Sequence, residues 1–119
     1  MELTLPDLID KMSILKLKIE RIGEPHLKIE YAYYEKEICK LPVLIKPLMD
    51  VFLKKLYQIN GKIWDLEHEI REGSKCKLSL KEVGRRTLII RDLNKKRVAI
   101  KDKIVDETGS GFKDIKMNS

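Results

Sequence analysis

Asn60, Trp64, Glu67 and Arg71 are spaced by four, three and four residues, so on a helix they share one face. An indole beside a guanidinium, an amide and a carboxylate can hold a planar or anionic ligand. The ring stacks, the arginine clamps charge and the amide reads hydrogen bonds. The same side chains can instead serve the fold alone. Glu67 then pairs with an arginine, Asn60 sets register and Trp64 packs.

Arg86 and Arg97 raise a related question. They fall on one apolar line with Ile90, Leu93, Ile100 and Ile104. A charge inside such a line needs an acid partner or a ligand, because burying it alone is costly. Asp10, Asp65 and Glu69 are the acids available, and internal pairing is the preferred expectation.

Other chemistries find little support. His68 follows Asp65 at the spacing of a helical metal pair, but His26 has no such partner, so no metal is expected. Ser13 lies in an apolar helix with no base in sight. No P-loop, nucleophile elbow or His-Glu-x-x-His motif occurs, and no cofactor is implied. Between Leu80 and Ile104, nine bases oppose three acids, which accounts for the whole net charge of +6. That segment could track phosphates. Acids interrupt it, however, Arg85, Arg91 and Arg97 do not share a face, and no aromatic residue is interleaved. Nucleic-acid binding is therefore disfavoured against a solvated, salt-bridged face.

These residues must be positioned by helices, since apolar residues recur every three or four positions almost throughout. The first helix is expected over Leu5–Ile22, capped by Thr4 and ended by Gly23 and Pro25. Its apolar face is wide enough to touch more than one neighbour. The second runs from Pro25 to Lys40, followed by a buried apolar corner at Val43–Ile45. The third runs from Pro47 to Glu72 with an unbroken heptad seam, roughly 39 Å long at 1.5 Å per residue. The fourth starts at Ser79, whose pairing with Glu82 reads as a capping box, and runs to about Glu107. Strand signals are absent. Residues 1–108 form one domain, and 109–119 a flexible tail carrying Phe112 and Ile115.

The short connection from Gly73 to Leu78 predicts that the third and fourth helices pair as an antiparallel hairpin. Facing residue numbers then sum to about 151. This places Gly84 beside the Trp64–Glu67 turn, with Arg85, Arg91 and Asn94 near the polar stripe. Gly84 would clear space for the indole, and Gly61 would serve a similar close approach.

Cys39 and Cys76 lack disulfide-framework or metal spacing. Residues 1–10 are acidic and unlike a signal peptide, and no apolar run approaches the roughly 18 residues of a membrane span. A soluble, cytoplasmic protein is expected.

Two strings resemble those of a group of small bacterial helical proteins of unknown function. One is Leu8-Ile9-Asp10-Lys11-Met12-Ser13-Ile14-Leu15-Lys16-Leu17-Lys18, against a Leu-Leu-Asp-Lys, Ile-Thr-Ile-Leu opening. The other is the Asn60…Trp64…Glu67…Arg71 stripe, with Asn94 and Arg97 similar to that group's last helix. The resemblance implies a helical fold, no defined activity and an association with sugar-modification genes. The loop Gly73–Leu78 is shorter than the group's. The resemblance also singles out Asp10, Lys11, Asn60, Trp64, Glu67, Asn94 and Arg97.

The combined expectation is an all-α antiparallel four-helix bundle. It acts as a non-catalytic oligomeric interaction module, with Tyr31, Tyr33 and Tyr34 at a homodimer interface. The alternative is a protein or enzyme for an anionic small molecule such as a sugar phosphate. Its candidate ligand set is Asp10, Lys11, Asn60, Trp64, Glu67, Arg71, Arg86, Arg91, Asn94 and Arg97.

Overall fold

The computed structural model describes residues 2–76, 78–108 and 116–118; of 2–3, 73–76 and 116–118 the backbone alone is described. Four helices make up nearly all of it: α1 Leu5–Arg21, α2 Pro25–Cys39, α3 Lys46–Cys76 and α4 Leu80–Thr108. Local chemistry sets most of their ends. Extended Thr4 accepts a hydrogen bond from the Asp7 N–H, and Pro6 sits in the first turn. At the other end of α1, the N–H groups of Ile22 and Gly23 both donate to Lys18 O, at 2.7 and 3.1 Å. Gly23 makes this closure at φ 78°, a left-handed conformation that suits glycine. Ser79 Oγ accepts from the Glu82 N–H at 3.1 Å and caps α4.

α1 is the centre of the molecule and packs against α2, α3 and α4. Leu5, Leu8, Ile9, Met12, Leu15 and Leu17 are all buried on it, which accounts for its wide apolar face. Leu27 and Tyr34 of α2, Met49, Phe52 and Leu56 of α3, and Ile104 of α4 complete the core.

Several expectations are corrected. A two-stranded antiparallel ribbon exists: β1, Glu2–Thr4, pairs with β2, Lys116–Asn118. Three residues are too few for an alternating pattern to show in the sequence. β2 lies within the segment 109–119, of which Phe112 and Ile115 lie outside the described residues. α3 runs on through Gly73 to Cys76, because one glycine costs only about 1 kcal/mol in a long helix. Of the corner Val43–Ile45, only Ile45 is buried; Val43 and Leu44 stand in solvent. Tyr34 is buried in the core and Tyr31 packs against it, while Tyr33 stands exposed.

The pairing register of α3 and α4 also differs. Arg86 Nε meets Glu69 Oε2 at 3.3 Å, four residues from the position opposite Arg86 in the expected register. A Cβ on Gly84 would meet nothing within 4 Å, so Gly84 does not face Trp64. Gly61 is instead the close approach: its Cβ would lie 3.5 Å from Leu17 Cδ2, where α1 crosses α3. Gly84→Ala is therefore expected to stabilise the protein by about 1 kcal/mol, through helix propensity alone. Urea denaturation reads this directly, and a loss of stability would mean that Gly84 has a hidden neighbour.

α3 spans about 46 Å at 1.5 Å per residue, close to the 50 Å longest dimension of the molecule. Its far end outruns the core. From Leu66 to Glu72 on α3, and from Leu80 to Asp92 on α4, no described residue is buried. Leu66, Ile70, Val83 and Ile90 are only half-buried there. We refer to this two-helix projection as the arm.

Candidate functional site

The sequence stripe and the apolar-line arginine meet at one place. Asp10 on α1 is 5 % exposed, and its carboxylate faces Arg97 of α4. Arg97 Nε donates to Asp10 Oδ1 at 2.9 Å, and Nη2 donates to Oδ2. This is the two-pronged geometry that suits a guanidinium and a carboxylate. Asn60 of α3 donates its Nδ2 to Asp10 Oδ1 at 3.0 Å and to Ser13 Oγ at 2.8 Å. Ser13, fully buried, donates in turn to the Asp10 backbone carbonyl at 2.6 Å. One cluster thus ties three helices together. The hydrogen-bonded Asp10 carboxylate raises the Arg97 pKa above its ordinary value, while burial opposes it.

A second pair extends the cluster. Lys101 Nζ lies 2.8 Å from Asp7 Oδ1 and 4.0 Å from Asp10 Oδ2. The hydrogen bond from Lys101 is the main cause of a lowered Asp7 pKa, below 3.8. Asp7 and Lys101 went unnoticed in the sequence, as did the bonding of Ser13. The signal was present: two acids one turn apart on α1 face two bases one turn apart on α4.

The depressed Asp7 pKa has a pH consequence. A carboxylate whose pKa is lower folded than unfolded stabilises the fold above its unfolded value, and the contribution disappears as pH falls through the folded value. Wild type should therefore exceed Lys101→Met in melting temperature at pH 5, with the gap closing below about pH 3.8. Exposure of Asp7 keeps the gap small. A gap that persists at pH 2 would assign the effect to packing of the lysine stem.

Beside the cluster lies an open cleft of about 250 Å³, lined by Ile14, Leu17, Ile63, Asn60, Trp64, Glu67, Arg71 and Arg97. It is smaller than the roughly 300 Å³ lower bound of ordinary ligand pockets. Its most useful groups are already engaged. Arg97 and Asn60 turn their donors inward to Asp10. The Arg21 guanidinium lies 5.7 Å from the Trp64 ring centre, in cation–π range, and 2.5 Å from Asp65. Glu67 and Arg71 remain on the exposed rim.

Other members of the candidate set lie elsewhere. Lys11 points toward α2, 3.4 Å from Glu30 and 5.2 Å from the Tyr34 ring centre. Arg86 is held by Glu82 at 2.7 Å and by Glu69 at 3.3 Å on the arm. Arg91 is exposed beside Asp92, Asn94 is exposed, and Arg85 reaches Glu82. None of these residues lines the cleft beside Trp64.

Chemically the cluster is a closed unit. Two carboxylates face two bases, Ser13 gives its proton to a carbonyl rather than to a base, and Asp10 has no free edge for proton transfer. Among the described residues no buried side-chain nitrogen or oxygen lacks a partner, and no three potential ligands gather to hold a metal. No described helix is long and apolar enough to cross a membrane. Comparison with known proteins finds no family model, no curated protein and no solved structure that matches the chain, so the geometry alone carries the reading of this site.

Proposed function

We propose that the protein is a non-catalytic, cytoplasmic interaction module that works as an oligomer. In this reading it is an antiparallel four-helix bundle. Asp10, Asn60 and Arg97 act as a structural clamp, and the α3–α4 hairpin projects as the docking element. The observation that carries it is the arm. Across residues 66–72 and 80–92 two helices cover each other's apolar seam on one side only. Two helices side by side cannot enclose such a seam, whereas a four-helix arrangement does.

An anionic small-molecule site is the weaker reading, because the donors such a ligand needs are spent on Asp10 and the Trp64 face is covered by Arg21. The resemblance to the bacterial helical group is compatible with the clamp, since Asp10, Asn60 and Arg97 belong to its motifs. Lys11 and Asn94, also in those motifs, lie outside the clamp.

Light scattering across a dilution series tests the proposal. The expected mass is at least twice the 14.0 kDa of one chain at micromolar concentration. Its melting temperature should fall on dilution, because association stabilises by mass action. A 14.0 kDa species with a concentration-independent melting temperature would sink the reading.

A further inference from the structure

The arm is divided by charge. From Asp65 to Glu72, α3 carries four carboxylates and one arginine, while from Lys81 to Asp92, α4 carries four bases and two acids. One helix of the projection is acidic and its neighbour is basic. Inside the chain this difference is only partly used. Arg86 joins Glu69 across the two helices, Asp65 turns away to Arg21, and Arg85 pairs with Glu82 on its own helix. Lys81, Arg91 and Glu67 stand exposed.

A surface with both signs side by side is complementary to itself after a two-fold rotation. Such a rotation brings the same patch of two copies together, so that residue i meets j and j meets i. Like helix against like would oppose four carboxylates to four. Unlike against unlike alternates acidic and basic helices around all four, which lowers the repulsion and fixes the arrangement.

Resting on the oligomeric reading above, we propose that two copies dock arm to arm about a two-fold axis. The acidic end of α3 in each copy lies against the basic end of α4 in the other. The apolar seam of Leu66, Ile70, Val83 and Ile90 closes between them. The partner is a second copy of this chain, and the contact is a four-helix arrangement made of two hairpins. Its assembly weakens with salt, because exposed charges guide it.

Two charge-reversal variants test the arrangement. One carries Glu67→Lys and Glu72→Lys on α3; the other carries Lys81→Glu and Arg91→Glu on α4. All four positions are exposed, so circular dichroism should show both variants folded. Alone, each variant opposes like charges twice in its own dimer, and self-association should weaken by about tenfold or more. Mixed one to one, the two variants oppose unlike charges at both contacts. Sedimentation velocity should then show a dimer restored in the mixture only.

The possible failures separate cleanly. A monomeric wild type overturns both this inference and the oligomeric reading. A dimeric wild type with unaffected variants overturns only the arm contact. Variants that weaken without rescue on mixing overturn the pairing of α3 with α4 of the partner.

Discussion

Replacing Arg97 with methionine is expected to destabilise the fold by about 3 kcal/mol, the lower end of the roughly 3–5 kcal/mol for breaking a buried ion pair. The loss comes mainly from what stays behind. Asp10 is 5 % exposed and is left with Asn60 as its remaining close donor and Lys101 4.0 Å away. The Arg97 side chain is 30 % exposed, so water screens part of the interaction and holds the figure down. The double variant Asp10→Leu/Arg97→Met should recover most of the loss. It leaves no buried charge and adds apolar volume, and such replacements are often neutral or stabilising. Guanidinium denaturation of the two single variants and the double variant gives the coupling. If the double variant is as unstable as the sum of the singles, the cluster is not a unit. The fold should stay native in all three, because the contacts of Leu8, Met12 and Leu56 do not depend on the pair.

The second large effect contrasts the two ends of the molecule. Leu8→Ala on α1 should cost about 3 kcal/mol, since a fully buried leucine leaves a cavity that close packing prevents from collapsing. Ile70→Ala on the arm should cost about 1 kcal/mol or less in the dilute single chain, because that residue is only half-buried. At high concentration the same arm variant should cost more, as the docked copies lose a shared contact. Denaturant curves at two protein concentrations measure both numbers. Equal costs for Leu8→Ala and Ile70→Ala under dilute conditions would mean that the arm is held as firmly as the core.

The helices were readable for specific reasons. Thr4, Pro25, Gly23 and the Ser79–Glu82 pair each carry a local mechanism for starting or stopping a helix, and they act at the expected places. The paired acids were readable too. Asp10 and Glu69 were among the three carboxylates able to meet Arg97 and Arg86, and the structure uses both. The relative slide of α3 and α4 was not readable. Their seams repeat every three or four residues, so moving one helix by a turn leaves apolar groups facing apolar groups. Arg86 beside Glu69 shows which setting holds, and with it Gly84 leaves the neighbourhood of Trp64, while Arg91 and Asn94 stand exposed. The use of the apolar faces was not readable either. A wide apolar face on α1 is equally compatible with a second copy or with three neighbours from its own chain, and only packing decides between them.

Asp10 and Arg97 are 87 positions apart, which has a consequence for how the molecule is made. The central helix therefore leaves the ribosome 87 residues before the cation that its buried carboxylate requires. At roughly 5–20 residues per second, α1 waits on the order of 4–17 s before α4 can close over it. During that interval its leucines have no complete shelter, and the nascent chain is a client for whatever guards unfinished proteins. Force-sensing nascent chains should therefore register the pull of folding only once α4 has cleared the exit tunnel, and a pull at shorter lengths would show that α1–α3 fold without it.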